Sequence, residues 1–401
     1  MKLFALCVIA AAALAADPKL TDLARDAARI RSTMKAEDLQ KGVAYLGDHE
    51  QVLFAIETEK TPMLVTDDDK PVAMTRVDPT LWATVARLSA GRSHQFHYVI
   101  DGAPFGGRLD VPVFMPSSYE QPDVPQGKMS EKLVHTSKIY PDMQSDYWIY
   151  VPAQYDPSKP AALMIWQDGQ GHIARNGRRT LNALDNLTYQ KRIPVMISVF
   201  IAPGKVGDKA MRSVEYDSLN DTYVRFVDEL LENVYAQYNI RRDSYSRGIA
   251  GESSGGICSF NAAWQHPEKY SRVLSTIGSY TSIQWHPGQL DGGNVYPNKV
   301  RKEAKRNIRV WLQDGSEDLE NEHGSWPLQN IQLANSLKMM GYDFHLAFGN
   351  GSHNGAEANA QLPESLSWLW RDYDSAKTQQ VYEQDAAERT KPMFRVHIYN
   401  R

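Results

Sequence analysis

Hydrophobic and polar positions change their spacing several times along this chain, and each spacing predicts a different kind of element. Over residues 16–41, Leu20, Leu23 and Ile30 recur at helical intervals, which predicts a helical leader. From residue 42 to residue 113, short apolar runs are separated by turn residues. This pattern is typical of short antiparallel strands, and it predicts an immunoglobulin-like β-sandwich over residues 42–113.

The remainder of the chain has a different pattern, in which nearly continuous apolar runs alternate with amphipathic segments. A proline-containing linker over residues 114–127 precedes it. The apolar runs are residues 161–166, 195–200, 309–312 and 344–348. Residues 222–238 place valines and leucines on one helical face and acidic side chains on the other. Buried strands alternating with helices predict an α/β catalytic domain over residues 128–374, with a doubly wound, mostly parallel sheet. The polar residues 375–401 form a predicted C-terminal extension.

The N-terminus has the features of a secretory signal peptide. Lys2 provides the positive start, residues 3–14 form an apolar run, and residues 13–15 are small enough for a cleavage site. The run is too short to span a bilayer. We therefore predict that residues 1–15 are removed and that the mature protein is secreted or periplasmic, without a membrane partner.

Composition narrows the range of functions. The net charge of -4 over 401 residues argues against nucleic acid as the principal partner. Cys7 leaves with the signal peptide, so the single remaining thiol, Cys258, has no internal disulfide partner. The sequence has no H-E-x-x-H, no Walker A and no G-x-G-x-x-G motif after a strand, and it predicts no metal site and no cofactor. The sequence has no long amphipathic pattern that would indicate an oligomeric state.

One segment carries a motif for nucleophilic chemistry. Gly251-Glu252-Ser253-Ser254-Gly255 satisfies G-x-S-x-G, the nucleophile elbow of α/β-hydrolases, in which serine lies on a sharp turn between strand and helix. Glycines two residues to either side of Ser253 leave room for that turn, whereas Ser254 lacks them. Ser253 is therefore the predicted nucleophile. Serine attack also needs a base, and an acid that orients the base.

Two loops after later predicted strands supply those groups in the chain order serine, acid, histidine. His353, in a glycine-rich turn, is the predicted base. Asp314, Glu317 and Asp318 compete for the role of the acid. We predict Asp318, because the turn at Gly315 lets the chain reverse before it, whereas Asp314 more plausibly holds that turn.

The tetrahedral intermediate of acyl transfer needs two backbone N–H groups directed at its negative oxygen. The N–H of Ser254, the residue after the nucleophile, is the first predicted donor. The second is predicted in the loop after residues 161–166, from Gly169 or Gln170. An ordinary hairpin turn at Asp168-Gly169 is the alternative interpretation of that loop.

Four residues are candidates for contact with substrate. Glu252 lies beside the nucleophile and would disfavour an anionic acyl group, unless its side chain points sideways. Arg212 lines the cleft or pairs with its neighbours. Trp285 and Trp326 form an aromatic wall for the substrate or belong to the core.

Several motifs, taken in order, resemble those of the esterase D-like esterases, which include the enterochelin esterases and the feruloyl and acetyl-xylan esterases. They are Asp146-Tyr147-Trp148-Ile149-Tyr150-Val151-Pro152, Ile165-Trp166-Gln167-Asp168-Gly169-Gln170, Ala250-Gly251-Glu252-Ser253-Ser254-Gly255-Gly256, Gly315-Ser316-Glu317-Asp318 and Gly351-Ser352-His353. The resemblance covers roughly residues 128–373. It implies an α/β-hydrolase fold, strengthens Asp318 as the acid, and implies an N-terminal immunoglobulin-like module that shapes the substrate site or binds glycan.

We therefore predict a secreted serine carboxylic-ester hydrolase that acts through an acyl-enzyme. The predicted signal peptide favours esters met outside the cytoplasm, such as hydroxycinnamoyl (feruloyl) or acetyl groups on plant polysaccharide. A siderophore trilactone of the enterochelin type is the alternative substrate. A non-catalytic glycan-binding protein on a hydrolase scaffold is the alternative from another class; a missing triad member would favour it, and none is missing.

Overall fold

A computed structural model of the chain describes residues 18–67, 69–288 and 292–395, so the predicted signal peptide lies outside the described residues. The chain divides into two units. The first holds the described residues up to Ser89 together with Gln95–Arg108, and the second holds Ala90–His94 and the residues from Leu109 onward. Within the described ranges, no helix combines the length and apolar character needed to cross a membrane.

The predicted helical leader forms three short helices in the first unit. These are α1 (Pro18–Leu23), α2 (Ala27–Thr33) and α3 (Ala36–Gln40). The leader is interrupted because the Asp26 carboxylate caps α2 by accepting a hydrogen bond from Arg29 N at 3.0 Å. Leu20, Ile30 and Leu39 are buried in one hydrophobic cluster with residues of three neighbouring strands. The leader is therefore part of the hydrophobic core of this unit.

Eight strands form two four-stranded sheets. They are β1 (Ala44–Asp48), β2 (Gln51–Glu57), β3 (Met63–Thr66), β4 (Val72–Ala73), β5 (Thr75–Arg76), β6 (Leu81–Arg87), β7 (Arg92–Ile100) and β8 (Ala103–Val113). The strand orders are β1-β2-β6-β5 and β4-β3-β7-β8. Phe54 of the first sheet and Phe96 of the second have ring centroids 4.7 Å apart, and Tyr98 Oη donates to Ala55 O across the same interface. The two sheets therefore share a core.

The second unit contains an eleven-stranded mixed sheet and a separate two-stranded one. The strands are β9 (Lys128–Met129), β10 (Leu133–Thr136), β11 (Gln144–Val151), β12 (Ala162–Gln167), β13 (Met196–Ile201), β14 (Lys205–Val206), β15 (Lys209–Ala210), β16 (Arg247–Glu252), β17 (Arg272–Thr276), β18 (Arg309–Glu317), β19 (Glu320–Asn321), β20 (Gly324–Ser325) and β21 (Asp343–Ser352). The central order is β13-β12-β16-β17-β18-β21, with every neighbouring pair parallel. Strand β11 pairs antiparallel with β13 and with the short outer strands β9, β10 and β14, which makes the sheet mixed.

Helices connect these strands. They are α4 (Thr180–Tyr189), α5 (Arg212–Tyr216), α6 (Thr222–Tyr235), α7 (Ser254–Gln265), α8 (Tyr296–Lys302), α9 (Trp326–Met339), α10 (Ala356–Ala360), α11 (Leu362–Leu369) and α12 (Ala386–Thr390). Short 3₁₀ turns occur at Pro116–Ser118, Gly169–Gly171, Ser244–Ser246 and Gly293–Val295. The C-terminal extension contacts this unit through the buried Tyr382, whose hydroxyl lies 3.1 Å from Ser271 Oγ.

The central sheet has a hydrophobic core on each face. Consecutive strand residues alternate between the two cores, as with Ile165 and Trp166 of β12. Helices α6, α7, α8 and α9 contribute to the first core, and α4 and α11 to the second. Helix α6 buries Val224, Val227 and Leu230, among others, and each such side chain stabilises the fold by about 1.5–3 kcal/mol. Because the central strands are parallel, their carboxyl ends meet at one edge, where open α/β sheets place ligand sites.

Candidate active site

Ser253 lies on a strained turn between β16 and α7. Its backbone has φ 58° and ψ -123°, a conformation that L-residues rarely adopt. Backbone strain of this kind costs on the order of 1–3 kcal/mol and persists only where the surroundings enforce it. Here Ser253 N donates to Thr276 O at 3.0 Å, and Ser279 N donates to Ser253 O at 3.1 Å. The turn therefore holds the Ser253 side chain at the carboxyl edge of the sheet.

Gly251 is required for this turn because of a close backbone approach. A β-carbon at Gly251 would lie 2.3 Å from Gly255 O, closer than non-bonded atoms can approach. At Gly255 a β-carbon would lie 3.0 Å from Gln167 Cβ, which is tight but less restrictive. The glycine spacing of the motif thus reflects the packing of α7 directly against the end of β16.

The structure brings Ser253, His353 and Asp318 together. His353 Nε2 lies 2.8 Å from Ser253 Oγ, and His353 Nδ1 lies 2.5 Å from Asp318 Oδ1. Since an ionised carboxylate only accepts hydrogen bonds, the neutral imidazole carries its proton on Nδ1 and accepts the Ser253 hydroxyl at Nε2. The Asp318 side chain is fully buried and that of His353 is 18% exposed. This arrangement can remove a proton from Ser253 and stabilise the resulting imidazolium.

The three carboxylates considered as the acid have different positions. Asp318 contacts His353, and its Oδ1 also accepts from Leu319 N at 2.5 Å. Glu317 is exposed. Asp314 is fully buried within β18 and accepts from Gly315 N at 2.8 Å. Asp314 therefore holds the turn and has a buried carboxyl group that does not contact His353.

A second histidine, His172, lines the cavity that contains Ser253 and His353, but its environment differs from that of His353. Burial, assisted by the charge of Arg178, lowers the pKa of His172 to about 3. Its Nδ1 lies 2.8 Å from Thr180 Oγ1, and its ring stacks on Phe200 and packs at a tilt against Trp166. His172 is thus a neutral packing residue.

The candidate oxyanion loop follows β12. Asp168 has φ 51°, and Arg212 holds its carboxylate with two hydrogen bonds of 2.8 Å, while Asp168 N donates to Tyr216 Oη at 3.2 Å. A β-carbon at Gly169 would lie 2.4 Å from Ile201 N, so this glycine is needed for close packing against β13. Gln170 lines the same cavity as Ser253, Gly169 is buried, and Ser254 is the buried first residue of α7. The loop therefore has a firmly held conformation.

The cavity above Ser253 has a volume of about 330 Å³ and is lined mostly by residues with polar side chains. Its other lining residues are Gln167, Asp168, Gln170, Gly171, His172, Arg178, Arg212, Glu252, Ile277, His353 and Asn354. A larger cavity of about 500 Å³ lies at the opposite ends of β12 and β13, around Ala162 and Val195, and contains none of the candidate site residues. The larger cavity therefore does not coincide with the candidate site.

Each arginine that lines the cavity has a carboxylate partner. Arg212 pairs with Asp168, and Arg178 pairs with Glu252. Burial raises the pKa of Glu252, whereas the charge of Arg178 and its hydrogen bond lower it. Glu252 therefore points sideways toward Arg178, and the cavity has no excess of cationic side chains among its described lining residues.

The structure does not place either candidate tryptophan on the wall of this cavity. Trp285 is 47% exposed and lies elsewhere. Trp326, at the start of α9, is only 2% exposed, because its Nε1 donates inward to Ser279 Oγ at 3.1 Å and its ring packs edge-on against His353. The expected aromatic wall is therefore absent from the described lining, and Trp326 supports the catalytic histidine candidate instead.

Sequence reasoning missed two residues at this site. Ser279 Oγ lies 3.3 Å from Ser253 Oγ, and its loop follows the carboxyl end of β17. Arg178 comes from the loop before α4 and pairs with Glu252. Neither residue belongs to a motif. The position of Ser279 after a central strand was the available signal, since parallel strands direct their following loops to one edge.

Comparison with known proteins identifies related sequences and folds. A family model described as "Putative esterase" matches residues 142–369. The uncharacterized protein YbbA of Bacillus subtilis (strain 168) is 24% identical over 246 residues, covering 56% of this chain and 92% of that protein. The iron(III) enterobactin esterase of Escherichia coli (strain K12) is 24% identical over 203 residues, covering 49% of this chain and 46% of the relative.

Solved structures show the fold of this chain. The enterobactin esterase of Shigella flexneri matches with a TM-score of 0.54 and 17% identity, covering 83% of this chain and 97% of that one. A ferulic acid esterase matches with a TM-score of 0.50 and 18% identity, covering 62% and 100%. These likenesses confirm an α/β-hydrolase-type fold, with a mixed sheet. Because the family model covers more than half of the 401 residues, the chain belongs to the family described as "Putative esterase" and is a carboxylic ester hydrolase.

Proposed function

We propose that this carboxylic ester hydrolase acts through an acyl-enzyme formed on Ser253. The observation that carries the proposal is the continuous hydrogen-bonded chain from Ser253 Oγ through His353 to the buried Asp318. His353 removes the serine proton as Oγ attacks the ester carbonyl, and then returns it to the leaving alcohol. Water repeats the cycle on the acyl-enzyme and releases the acid. Asp318 orients the imidazole and stabilises its protonated form.

The negative oxygen of each tetrahedral intermediate needs preorganised donors. We assign this role to the N–H groups of Ser254 and of Gln170 or Gly169. The start of α7 supports the first assignment, because the N–H groups of a first helical turn have no partner within the helix. The conformation of the loop after β12, held by Arg212 on Asp168, supports the second. Loss of one such donor typically lowers kcat about a hundredfold or more.

Replacement of the nucleophile tests the mechanism. Ser253→Ala should abolish hydrolysis of an aryl ester and labelling by a fluorophosphonate, because both reactions need the serine oxygen. The matched control is Ser282→Ala, which removes a hydroxyl that hydrogen-bonds to His323 O and lies on another loop. Full activity in Ser253→Ala would refute the acyl-enzyme mechanism.

For the substrate, we propose hydroxycinnamoyl or acetyl esters of plant polysaccharide. Arg178 and Arg212 are both paired with carboxylates, so the described lining offers no unpaired cation to a multiply anionic substrate. This supports an uncharged acyl group. A siderophore trilactone is the second candidate. It is favoured by the enterobactin esterase of Shigella flexneri, whose structure is matched over 97% of its length.

We further propose that the first unit is an immunoglobulin-like module that shapes the substrate site or binds glycan. Its strand orders β1-β2-β6-β5 and β4-β3-β7-β8 correspond to the A-B-E-D and C′-C-F-G sheets of that fold. Binding of the Ser253→Ala protein to insoluble xylan would support a glycan-binding module. If the protein does not bind xylan, shaping of the substrate site remains as the role of the module. We also propose secretion or periplasmic export, which is tested by finding residues 1–15 removed from the exported protein.

A further inference from the structure

Asp314 is a buried carboxyl group near the proposed catalytic acid, and the proposed mechanism gives it no role. Asp314 is 0% exposed, and of its two oxygens only Oδ1 has an assigned donor, Gly315 N at 2.8 Å. Asp314 Oδ2 and Asp318 Oδ2 are both buried, and among the described residues no N–H or O–H group donates to either atom. No lysine or arginine of the described chain forms an ion pair with either aspartate, and Asp318 pairs with His353 alone.

Asp318 N donates to Gly315 O at 3.2 Å, and this turn brings the Asp318 carboxyl group back toward that of Asp314. Burial, a hydrogen bond to Asp318 and the charge of Asp318 raise the pKa of Asp314 well above its ordinary value. Gly315 N and the Asn330 side chain on α9 act in the opposite direction. Two ionised carboxylates in contact within a dry site would repel each other strongly, so one of them holds a proton.

The proton belongs on Asp314. Asp318 Oδ1 already accepts two donors, His353 Nδ1 and Leu319 N, and both stabilise the ionised form of Asp318. Asp314 lies within β18 and is 0% exposed; its Oδ1 accepts from Gly315 N, and the Asn330 side chain is a further polar neighbour. Burial without a cation favours the neutral form of a carboxyl group.

We propose that Asp314 is a neutral carboxylic acid whose O–H donates to Asp318 Oδ2, and that it is a positioning residue for the catalytic acid. This inference rests on the proposed function of Asp318. The donor fixes the rotation of the Asp318 carboxylate, so that Oδ1 faces His353, and it satisfies an oxygen that would otherwise be buried without a partner. Asp314 thereby acts on Ser253 only through Asp318 and His353.

Infrared spectroscopy tests the protonation state without turnover. The difference spectrum of wild type minus Asp314→Asn at neutral pH should show the carbonyl band of a carboxylic acid. Asparagine is close in shape and keeps a donor toward Asp318, so the variant should remain folded. A carboxylate band in place of the acid band would overturn the proposal. Because no ester is cleaved, this result does not depend on whether the proposed hydrolytic mechanism is correct.

Kinetics test the positioning role. Asp314→Asn should keep kcat within about threefold of wild type, whereas Asp314→Ala should lower kcat about tenfold with KM unchanged, because Asp318 Oδ2 loses its donor. The exposed Glu317→Ala is the matched control and should behave as wild type. An alanine variant with wild-type kcat, or an asparagine variant as impaired as the alanine variant, would overturn the positioning role.

The pH profile separates positioning from a general loss of structure. In Asp314→Ala the imidazolium becomes a more important donor to Asp318, so the acid limb of kcat/KM should move to higher pH. The other charged groups around the pair, Glu252 near His353 and Glu357 on Gly351 N, are the same in every variant. Asp314→Asn should keep the wild-type profile. An acid limb in the alanine variant identical to that of wild type would count against positioning. Failure of the proposed function would appear differently, as a wild-type protein that cleaves no ester and is not labelled at Ser253.

Discussion

Among the described residues, two polar side chains lie within hydrogen-bond distance of Ser253 Oγ, and they act in different ways. His353 Nε2 accepts its proton at 2.8 Å, whereas Ser279 Oγ lies on another side at 3.3 Å. Ser279 accepts a hydrogen bond from Trp326 Nε1 at 3.1 Å, which leaves the hydroxyl proton of Ser279 free to point toward Ser253. Trp326 therefore sets the direction of a hydroxyl group at the nucleophile while its ring packs against His353.

Replacement of Ser279 should reveal this contact. Ser279→Ala should lower kcat by about threefold to tenfold, because Ser253 Oγ loses a neutral hydrogen bond. Trp326→Phe should have a smaller effect on kcat, since the Ser279 hydroxyl remains in place. Steady-state kinetics on an aryl ester provide the comparison, with Ser282→Ala as the control hydroxyl deletion. Unchanged kcat in Ser279→Ala would show that the contact contributes nothing to the reaction.

Among the elements, the short helix α5 holds two loops at the carboxyl edge of the sheet. It spans five residues, Arg212–Tyr216. Arg212 and Tyr216 hold Asp168 in the loop after β12, and Glu215 accepts from Gly204 N at 2.7 Å in the loop after β13. A helix this short is not stable alone, so its stability comes from these tertiary contacts.

Glu215 should make the stability of the protein depend on pH. Burial raises its pKa from 4.5 to about 7, with a smaller contribution from Asp168, while Gly204 N lowers it. Since the folded state binds this proton more tightly than the unfolded state, the stabilisation is complete below about pH 4.5 and is lost as pH rises through about 7. Glu215→Gln keeps the hydrogen-bond acceptor but cannot become charged. The unfolding free energy of the variant minus that of wild type should therefore increase by about 3 kcal/mol from low to high pH.

Denaturant unfolding at about pH 5 and about pH 8 measures this difference. Asp217, Glu252 and Glu357 also have raised pKa values, chiefly through burial, so only the difference between variant and wild type isolates Glu215. The control is Glu232→Gln, an exposed carboxylate on α6. If the unfolding free energies of Glu215→Gln and wild type depended equally on pH, the raised pKa of Glu215 would be contradicted.

Elements with a strong hydrophobic pattern were predictable from the sequence. The apolar run at residues 161–166 corresponds to β12, and the amphipathic segment at 222–238 to α6 (Thr222–Tyr235). The two-residue strands β14, β15, β19 and β20 pair as short local hairpins, and each is too short to show an alternating pattern. At the site, Ser253 and His353 have local motifs, whereas the roles of Ser279 and Arg178 depend on contacts with residues distant in sequence, which only folding creates.

At the scale of the whole molecule, charge and chain organisation bear on the substrate. The chain has a net charge of -4 at pH 7, and the arginines at the cavity are paired with carboxylates. An anionic substrate therefore meets neither a favourable long-range field nor an unpaired cation from the described lining of the cavity. The structural match to the Shigella flexneri enterobactin esterase covers most of both chains, yet identity of 17% makes it a likeness of fold alone.

A substrate panel should therefore favour uncharged acyl groups. We expect kcat/KM for methyl ferulate or acetylated xylan to exceed that for iron(III) enterobactin, whose catechol groups are ionised, by at least about tenfold at low ionic strength, because repulsion slows the approach of an anion. Added salt should narrow the difference by screening that repulsion, whereas a difference caused by shape alone would not respond to salt. The rate measured with Ser253→Ala is subtracted from that of wild type to correct for uncatalysed hydrolysis of the lactone. Activity confined to enterobactin would reverse the ranking, and it would mean that the ion pairs at Arg178 and Arg212 open when the substrate binds.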